Sequence, residues 1–546
     1  MIYKTILRMV LPVFLLLGLT ACSIKTESTQ ISQVTQTVVT TTEPNAQQPD
    51  PTVAPALWFS PNLPETFTGS IKSVEPYSIT NSAESATIRI EPGTEGIILA
   101  QWKYVLVAPF PQIADSVSSE WLLNFWQTGS TSDEQNAAKI LVVDEDTSAF
   151  LAAFWGVPSP EAVKVLSTNQ LLSTAWADPA YSTWSLLPFE QLQKEWKVIS
   201  IDQEDPFSID STFLTFPIAA SGEITFSEPI QQNFQPDRLT TLNITGVTAL
   251  VRATAAMMER NGIPYPAEEI GSYLRESDFT HISNEVSFAT DCPAPVYEMD
   301  DLVFCSSPEY IELLDFIGTD IVEMTGDHLE DWGIEPIYTT LQMYIEKGWL
   351  VYGAGTNLTD AQQPLLIEHN GNRLMLIGCN AKSTAYAHAA ENYPGTWYCD
   401  DYSAIIAAIK DAVAMQYIPI VTIQHTEIDQ MLPTSQIIED FQLLSDGGAQ
   451  IIIGSQAHQP STIQLNNQSF IHYGLGNLFF DQYNESPENR QAFIDHFVFY
   501  ENRLISIQLQ TTQFVDWAKP RWMTEDERNV FLTTIFQNSA WDVEFP

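Results

Sequence analysis

Three apolar runs in the second half of the chain each end in a polar cluster that carries a histidine. Thr325-Gly326-Asp327-His328 follows the run Asp320 to Glu323, and Gln424-His425-Thr426-Glu427-Ile428-Asp429 follows Ile418 to Ile423. Gly454-Ser455-Gln456-Ala457-His458 follows Ile451 to Ile453. Helix-like segments lead into these runs. Ser307-Pro308 opens a segment with Ile311, Leu314 and Ile317 on one face and Gly318 past its end, and Ile337 to Lys347 leads to Trp349 to Tyr352. Ile405, Ala408, Ile409, Ala412 and Val413 form one stripe before Ile418, and Ile437 to Leu444 precedes Ile451. Repeated helix-to-strand units predict a largely parallel sheet, or two such sheets packed together, and so an α/β fold. The three clusters then share the carboxyl edge of the sheet, where loops and helix N-termini converge on ligands. One histidine after a strand is ordinarily a hydrogen-bonded structural residue. Three such clusters together point to a site.

The rest of the chain divides by composition. Residues 1–22 have a basic start, an apolar run from Ile6 to Leu19 and Leu19-Thr20-Ala21-Cys22 at its end, the features of a secretory leader. The Leu19 to Cys22 ending resembles the bacterial lipoprotein pattern, which implies cleavage before Cys22, a lipid on its sulfur and a chain held on the outer face of the cytoplasmic membrane. An ordinary leader or a retained anchor helix is the alternative. Residues 23–55, rich in Thr, Gln, Ser and Pro, have too little apolar surface to fold and read as a tether. Residues 56–235 alternate strand-like runs (Ile97 to Pro109, Lys139 to Val143) with helix-like ones (Val117 to Trp126), a smaller α/β domain ahead of a larger one over 236–546. Tyr104 to Phe110 and Trp184 to Glu190 resemble pieces of a periplasmic solute-binding domain. Trp121, Trp126, Trp155, Trp176, Trp184 and Trp196 are either core or a wall on which a sugar ring could stack.

Net charge is −45, from 23 Lys plus Arg against 68 Asp plus Glu. That balance excludes nucleic acid as a partner and argues against an electropositive groove, unless a metal ion supplies local positive charge. Beyond Cys22 the cysteines are Cys292, Cys305, Cys379 and Cys399, at spacings that fit neither a zinc ribbon nor a redox pair. In an exported chain they suggest two disulfides. Pairing 292 with 305 and 379 with 399 closes the shortest loops; free or metal-binding thiols are the alternative.

Between about Leu242 and Gln482 the ordered motifs resemble the CapA, or poly-gamma-glutamate synthesis, family, a branch of the calcineurin-like metallophosphatase fold. Asp327-His328, Asp331-Trp332-Gly333 and Gly353-Ala354-Gly355 are similar to its Asn-His, Asp-aromatic-Gly and Gly-Ala-Gly. His425 with Asp429, Gly448-Ala449 to Gly454, and His472 to Asp481 continue the series. The resemblance implies work on a capsule or envelope polymer, with anionic capsule polymer or envelope biosynthesis proteins as partners. It also implies two divalent ions that polarise a phosphoryl oxygen and activate water. Carried over by position, His328 and Asp327 are the catalytic candidates, and Glu285, Asp327, His425 and His458 the metal ligands. Two family ligands are missing, because Val247 stands for an Asp and Ser455 for a His. The expectation is therefore one divalent ion, on Asp327, His425 and His458 with Glu285 nearby, or none, with the same residues as a polar floor for a ligand; the alternative function is a solute- or polymer-binding lipoprotein without catalysis that uses its N-terminal α/β domain for capture.

Overall fold

The three apolar runs that end in the histidine clusters are buried on both faces, and this explains why they read as continuous rather than alternating. In the computed structural model, which describes residues 55–71, 77–130, 137–222, 231–297, 302–382 and 387–545, the chain is α/β throughout. The expected leader with Cys22, and the tether up to residue 54, lie outside the described residues.

Seven strands build the candidate site: β1 (Leu239–Thr248), β2 (Phe279–Asn284), β3 (Ile321–Glu323), β4 (Asn372–Asn380), β5 (Ile418–Gln424), β6 (Ile451–Ile453) and β7 (Asn477–Phe479). In one sheet β1, β2 and β3 run parallel, with Leu350–Tyr352 beyond β3; β7 pairs with β1, and an antiparallel ribbon, Gln491–Tyr500 and Arg503–Val515, completes the other side. In the second sheet β4, β5, β6 and Phe470–His472 run parallel. Both expectations hold: the connections are helix-to-strand, and two sheets pack face to face.

Side-chain alternation along the strands builds four layers. Leu242, Ile244 and Ile321 from the first sheet meet Leu374, Leu376, Ile418, Ile420, Ile451 and Ile453 from the second in one interior cluster. The intervening residues face outward to helices. Ile282 and Val322 pack on Arg252–Asn261, Ile311–Phe316 and Ile334–Lys347 through Met258, Leu314 and Ile337. Ile377, Val421, Ile423 and Ile452 pack on Ser403–Ala414 and Ser435–Gly447 through Ile405, Ile409, Ile437, Phe441 and Leu444.

The N-terminal half is a separate mixed sheet centred on Ile97–Pro109, with helices Ser119–Thr128 and Glu145–Trp155. The chain leaves it after Gln231–Gln232 and enters β1 at Leu239. The two halves share an apolar cluster in which Val105, Val107, Leu187 and Trp196 meet Val498, Tyr500 and Ile505. Helix Glu525–Asn538 ties them further, since Arg528 donates to Ile113 O at 2.9 Å and to Asp115 Oδ1 at 2.9 Å. Of the six tryptophans, Trp121, Trp126, Trp155 and Trp184 are buried in the core of the N-terminal sheet and Trp196 in the shared cluster, and Trp176 packs between Tyr181 and Trp541. They are core, not a sugar-stacking wall. Disulfides join Cys292 to Cys305 and Cys379 to Cys399, the short-loop pairing.

Candidate functional site

The carboxyl ends of β1 to β6 bring three carboxylates, two imidazoles and one ammonium into a single cleft. Glu285 follows β2, and its N–H donates to Thr248 O at the end of β1 at 2.9 Å. Gly326 packs flat on it, because a Cβ there would lie 2.5 Å from Glu285 Cα. Only glycine allows that approach, and it sets Asp327 beside Glu285. Glu285 is 1% exposed, and among the described residues neither of its carboxylate oxygens has a hydrogen-bond partner. Burial pushes its carboxyl well above the ordinary range, against the opposing charge of His328. A buried acceptor pair with no donor is costly, on the order of 1–3 kcal/mol or more for a charged group.

Asp327, by contrast, is fully engaged. Its Oδ1 accepts from Gln424 Nε2 at 2.6 Å and its Oδ2 from Lys382 Nζ at 2.6 Å. Burial raises its carboxyl, but the charges of His328 and Lys382 outweigh this and hold it below the usual carboxylate range. Lys382 Nζ also lies 2.6 Å from Glu427 Oε1, and so bridges two carboxylates. Burial opposes its charge, yet Glu427 and Asp327 raise its pKa above the ordinary lysine value. Asn380, two residues before Lys382, donates to Thr325 O at 3.0 Å and ties the end of β4 to the loop after β3.

The two cleft histidines differ. His328 Nδ1 lies 2.6 Å from Asp331 Oδ2, and its ring packs on Phe304 at 4.8 Å. Burial disfavours its charge, but the Asp331 hydrogen bond and the carboxylates of Glu285 and Asp327 raise it to about 9, so it carries its proton at neutral pH. His458 faces Asn477 Oδ1 through Nδ1 at 2.9 Å and Glu427 Oε2 through Nε2 at 3.7 Å. Burial pushes its pKa down. With the proton on Nδ1, its Nε2 lone pair points into the cleft, which is how a ligating imidazole is oriented by its outer partner.

These groups form two overlapping trios, Glu285 with Asp327 and His328, and Glu285 with Glu427 and His458. Within each, one ligand atom per residue lies within 4.8 Å of the others. Two carboxylates and a neutral imidazole, with unpartnered buried oxygens among them, are a donor set suited to a divalent ion. The second trio fits better, because Asp327 and His328 in the first are already bonded to Lys382, Gln424 and Asp331.

His425 does not join them. Its Nδ1 accepts from the Thr426 N–H at 2.8 Å and its Nε2 lies 2.9 Å from Asp440 Oδ2 on helix Ser435–Gly447. Both nitrogens are used, and His425, expected as a metal ligand, lies in neither trio. Glu427 is the residue of that segment that lies in the second trio, and Asp429 is exposed. The two departures from the family pattern have local causes. Val247 is fully buried in an apolar cluster with Val251, Val286, Phe304 and Phe480. Ser455 turns into the interior and donates to Glu323 Oε1 at 2.6 Å. That carboxylate, also bonded to Thr325 Oγ1 at 2.5 Å, forms a buried polar floor beneath the cleft with His281 and Tyr352. Sequence reasoning missed Lys382 and Glu427 as site residues, and also Arg252. The Arg252 guanidinium bonds Asp481 and sits over the rings of Phe304 at 5.6 Å and Phe480 at 4.9 Å.

Comparison with known proteins agrees with the motif series. The chain is 24% identical over 247 residues to capsule biosynthesis protein CapA of Bacillus anthracis, covering 44% of this chain and 60% of that one. It is 23% identical over 251 residues to PGA biosynthesis protein CapA of Bacillus subtilis (strain 168), covering 45% and 64%. It therefore spans less than two thirds of the length of the curated relatives it matches. A putative 5'-nucleotidase from Staphylococcus aureus superposes with a TM-score of 0.31 at 12% identity, over 55% of this chain and 58% of that one, too distant to carry an argument. Residues 217–482 match the family described as bacterial capsule synthesis protein PGA_cap, the stretch over which the motif series runs.

Proposed function

We propose that this chain works at the cell envelope in the synthesis or handling of a capsule polymer of the poly-gamma-glutamate kind, and that its cleft holds one divalent ion on Glu285, Glu427 and His458. The match of residues 217–482 to the capsule synthesis family supports the first part. The observation that carries the second is Glu285, a buried carboxylate with two unpartnered oxygens shared by both trios.

When bound, a divalent ion supplies Lewis-acid polarisation of an oxygen ligand and acidifies bound water. The chain's own residues do the rest. His458 is aimed by Asn477, and Glu427 is held between His458 and Lys382. His328, protonated and oriented by Asp331, is placed to donate its Nε2 proton to a leaving oxygen. In a chain of net charge −45, a bound ion, with Arg252 at the same end of the cleft, concentrates the positive charge that an anionic polymer needs.

The loss of two family ligands at Val247 and Ser455 favours a second reading, a lipoprotein that binds solute or polymer without catalysis. Calorimetric titration of metal-stripped protein with Mn2+ separates the two. One binding site, lost in His458→Ala and retained in His425→Ala, is expected. No binding in the native chain, or equal loss in both variants, overturns the one-ion site. Anchoring through Cys22 to the outer face of the membrane is the remaining part of this reading and rests on Leu19 to Cys22. A Cys22→Ala chain that still partitions with detergent and carries lipid by intact mass would remove it.

A further inference from the structure

We infer that the ammonium of Lys382 serves as the built-in second cation of the cleft, occupying the space that a second divalent ion would need. The inference deepens the one-ion reading above and rests on it for the location of the first ion. A cleft whose two trios share Glu285 has the layout of a two-ion site with one bridging carboxylate. The halves are nonetheless unequal. Lys382 Nζ lies 2.6 Å from Asp327 Oδ2 and 2.6 Å from Glu427 Oε1, and its side chain is 16% exposed. Gln424 takes the other Asp327 oxygen. Asp327 thus has both oxygens committed to the protein's own donors, whereas Glu285 has neither. An incoming dication would have to expel the ammonium to reach Asp327. On the other side it meets the unpartnered oxygens of Glu285, the Oε2 of Glu427 and the Nε2 of His458 without displacing anything.

This arrangement also accounts for Val247. Two dications about 3.5–4 Å apart need anionic bridges to offset their mutual repulsion. A monovalent ammonium tethered to the end of β4 repels a single dication less, so a carboxylate at position 247 is not required, and the position joins the apolar cluster instead. Lysine supplies charge but neither Lewis acidity nor an activated water. The Asp327 side of the cleft is therefore held in shape by the chain itself, and only the Glu427 and His458 side depends on an added ion.

The test is Mn2+ titration of the full chain by calorimetry, together with its melting temperature with and without Mn2+, for the native protein, Lys382→Met, Lys382→Gln and Lys382→Arg. One Mn2+ is expected in the native protein and in Lys382→Arg, and two in Lys382→Met. Ion-free Lys382→Met should melt lower than the native protein, since Asp327 and Glu427 lose their common partner, and Mn2+ should raise its melting temperature by more than it raises the native one. Lys382→Gln, which keeps a donor for Asp327 but not the charge, gives the same reading if the methionine variant does not fold. Unchanged stoichiometry and affinity in both neutral variants overturns the inference, and so does binding of two ions by the native chain. If the native chain binds none while the neutral variants gain one, the role of Lys382 stands and the one-ion reading fails. If native and neutral variants alike bind one, the one-ion reading stands and the role of Lys382 falls.

Discussion

Glu285 carries an energetic burden that a bound cation or a bound proton relieves. It is buried with two oxygens that have no hydrogen-bond partner among the described residues, and four other ionisable groups, Asp327, His328, Glu427 and His458, face it from the ends of neighbouring strands. Glu285→Gln keeps the shape and removes the charge, so in the ion-free protein it should stabilise the fold by roughly 1–2 kcal/mol while abolishing Mn2+ binding, the familiar exchange of function for stability. The effect has a pH signature. Burial raises the Glu285 carboxyl well above its unfolded value, so the folded state holds a proton that the unfolded state releases. Native stability is then lost as pH rises above the ordinary carboxylate range, and the advantage of Glu285→Gln grows in the same direction. Denaturant unfolding at pH 5 and pH 8 checks this. A variant less stable than the native chain at both values, in the absence of metal, would contradict it.

At the scale of elements, strand parity decides which residues reach the cleft. On β5, Ile418, Ile420, Thr422 and Gln424 face the first sheet, and Val421 and Ile423 face the helices. His425 continues the outward series and meets Asp440, whereas Gln424 ends the inward one and meets Asp327. On β3 the inward series runs through Ile321 and Glu323, and after the strand Asp327 keeps that side. On β4 it runs through Leu374 and Leu376 to Asn380, and then to Lys382. The helix-to-strand order, the paired sheets, the disulfide partners and the strand-end placement of Asp327, His328 and His458 were therefore legible in the sequence. The place of His425 outside both trios was not legible from a motif match, which ignores parity; counting alternate residues back from it along Ile423 and Val421 sends it to the helix side. Glu427 and Lys382 escaped notice for a different reason. Their roles depend on loops from β4 and β5 meeting across the sheet, and no spacing within either segment encodes that meeting.

For the whole molecule, the dominant fact is a net charge of −45 around a cleft that gathers Glu285, Asp327 and Glu427. Such a chain attracts cations, and what gives one position preference over the diffuse surface is the low-dielectric setting of buried ligands with aimed lone pairs. The shared apolar cluster between the halves and the Arg528 tie hold the strands that frame this setting against the N-terminal sheet. The most direct test of the account is the anomalous difference map of a crystal of the full chain soaked in Mn2+. One strong peak within coordination distance of Glu285, Glu427 and His458, with Lys382 still seated between Asp327 and Glu427, is the predicted result. A peak at His425 and Asp440, two peaks in the cleft, or none there while surface carboxylates are occupied, would contradict it.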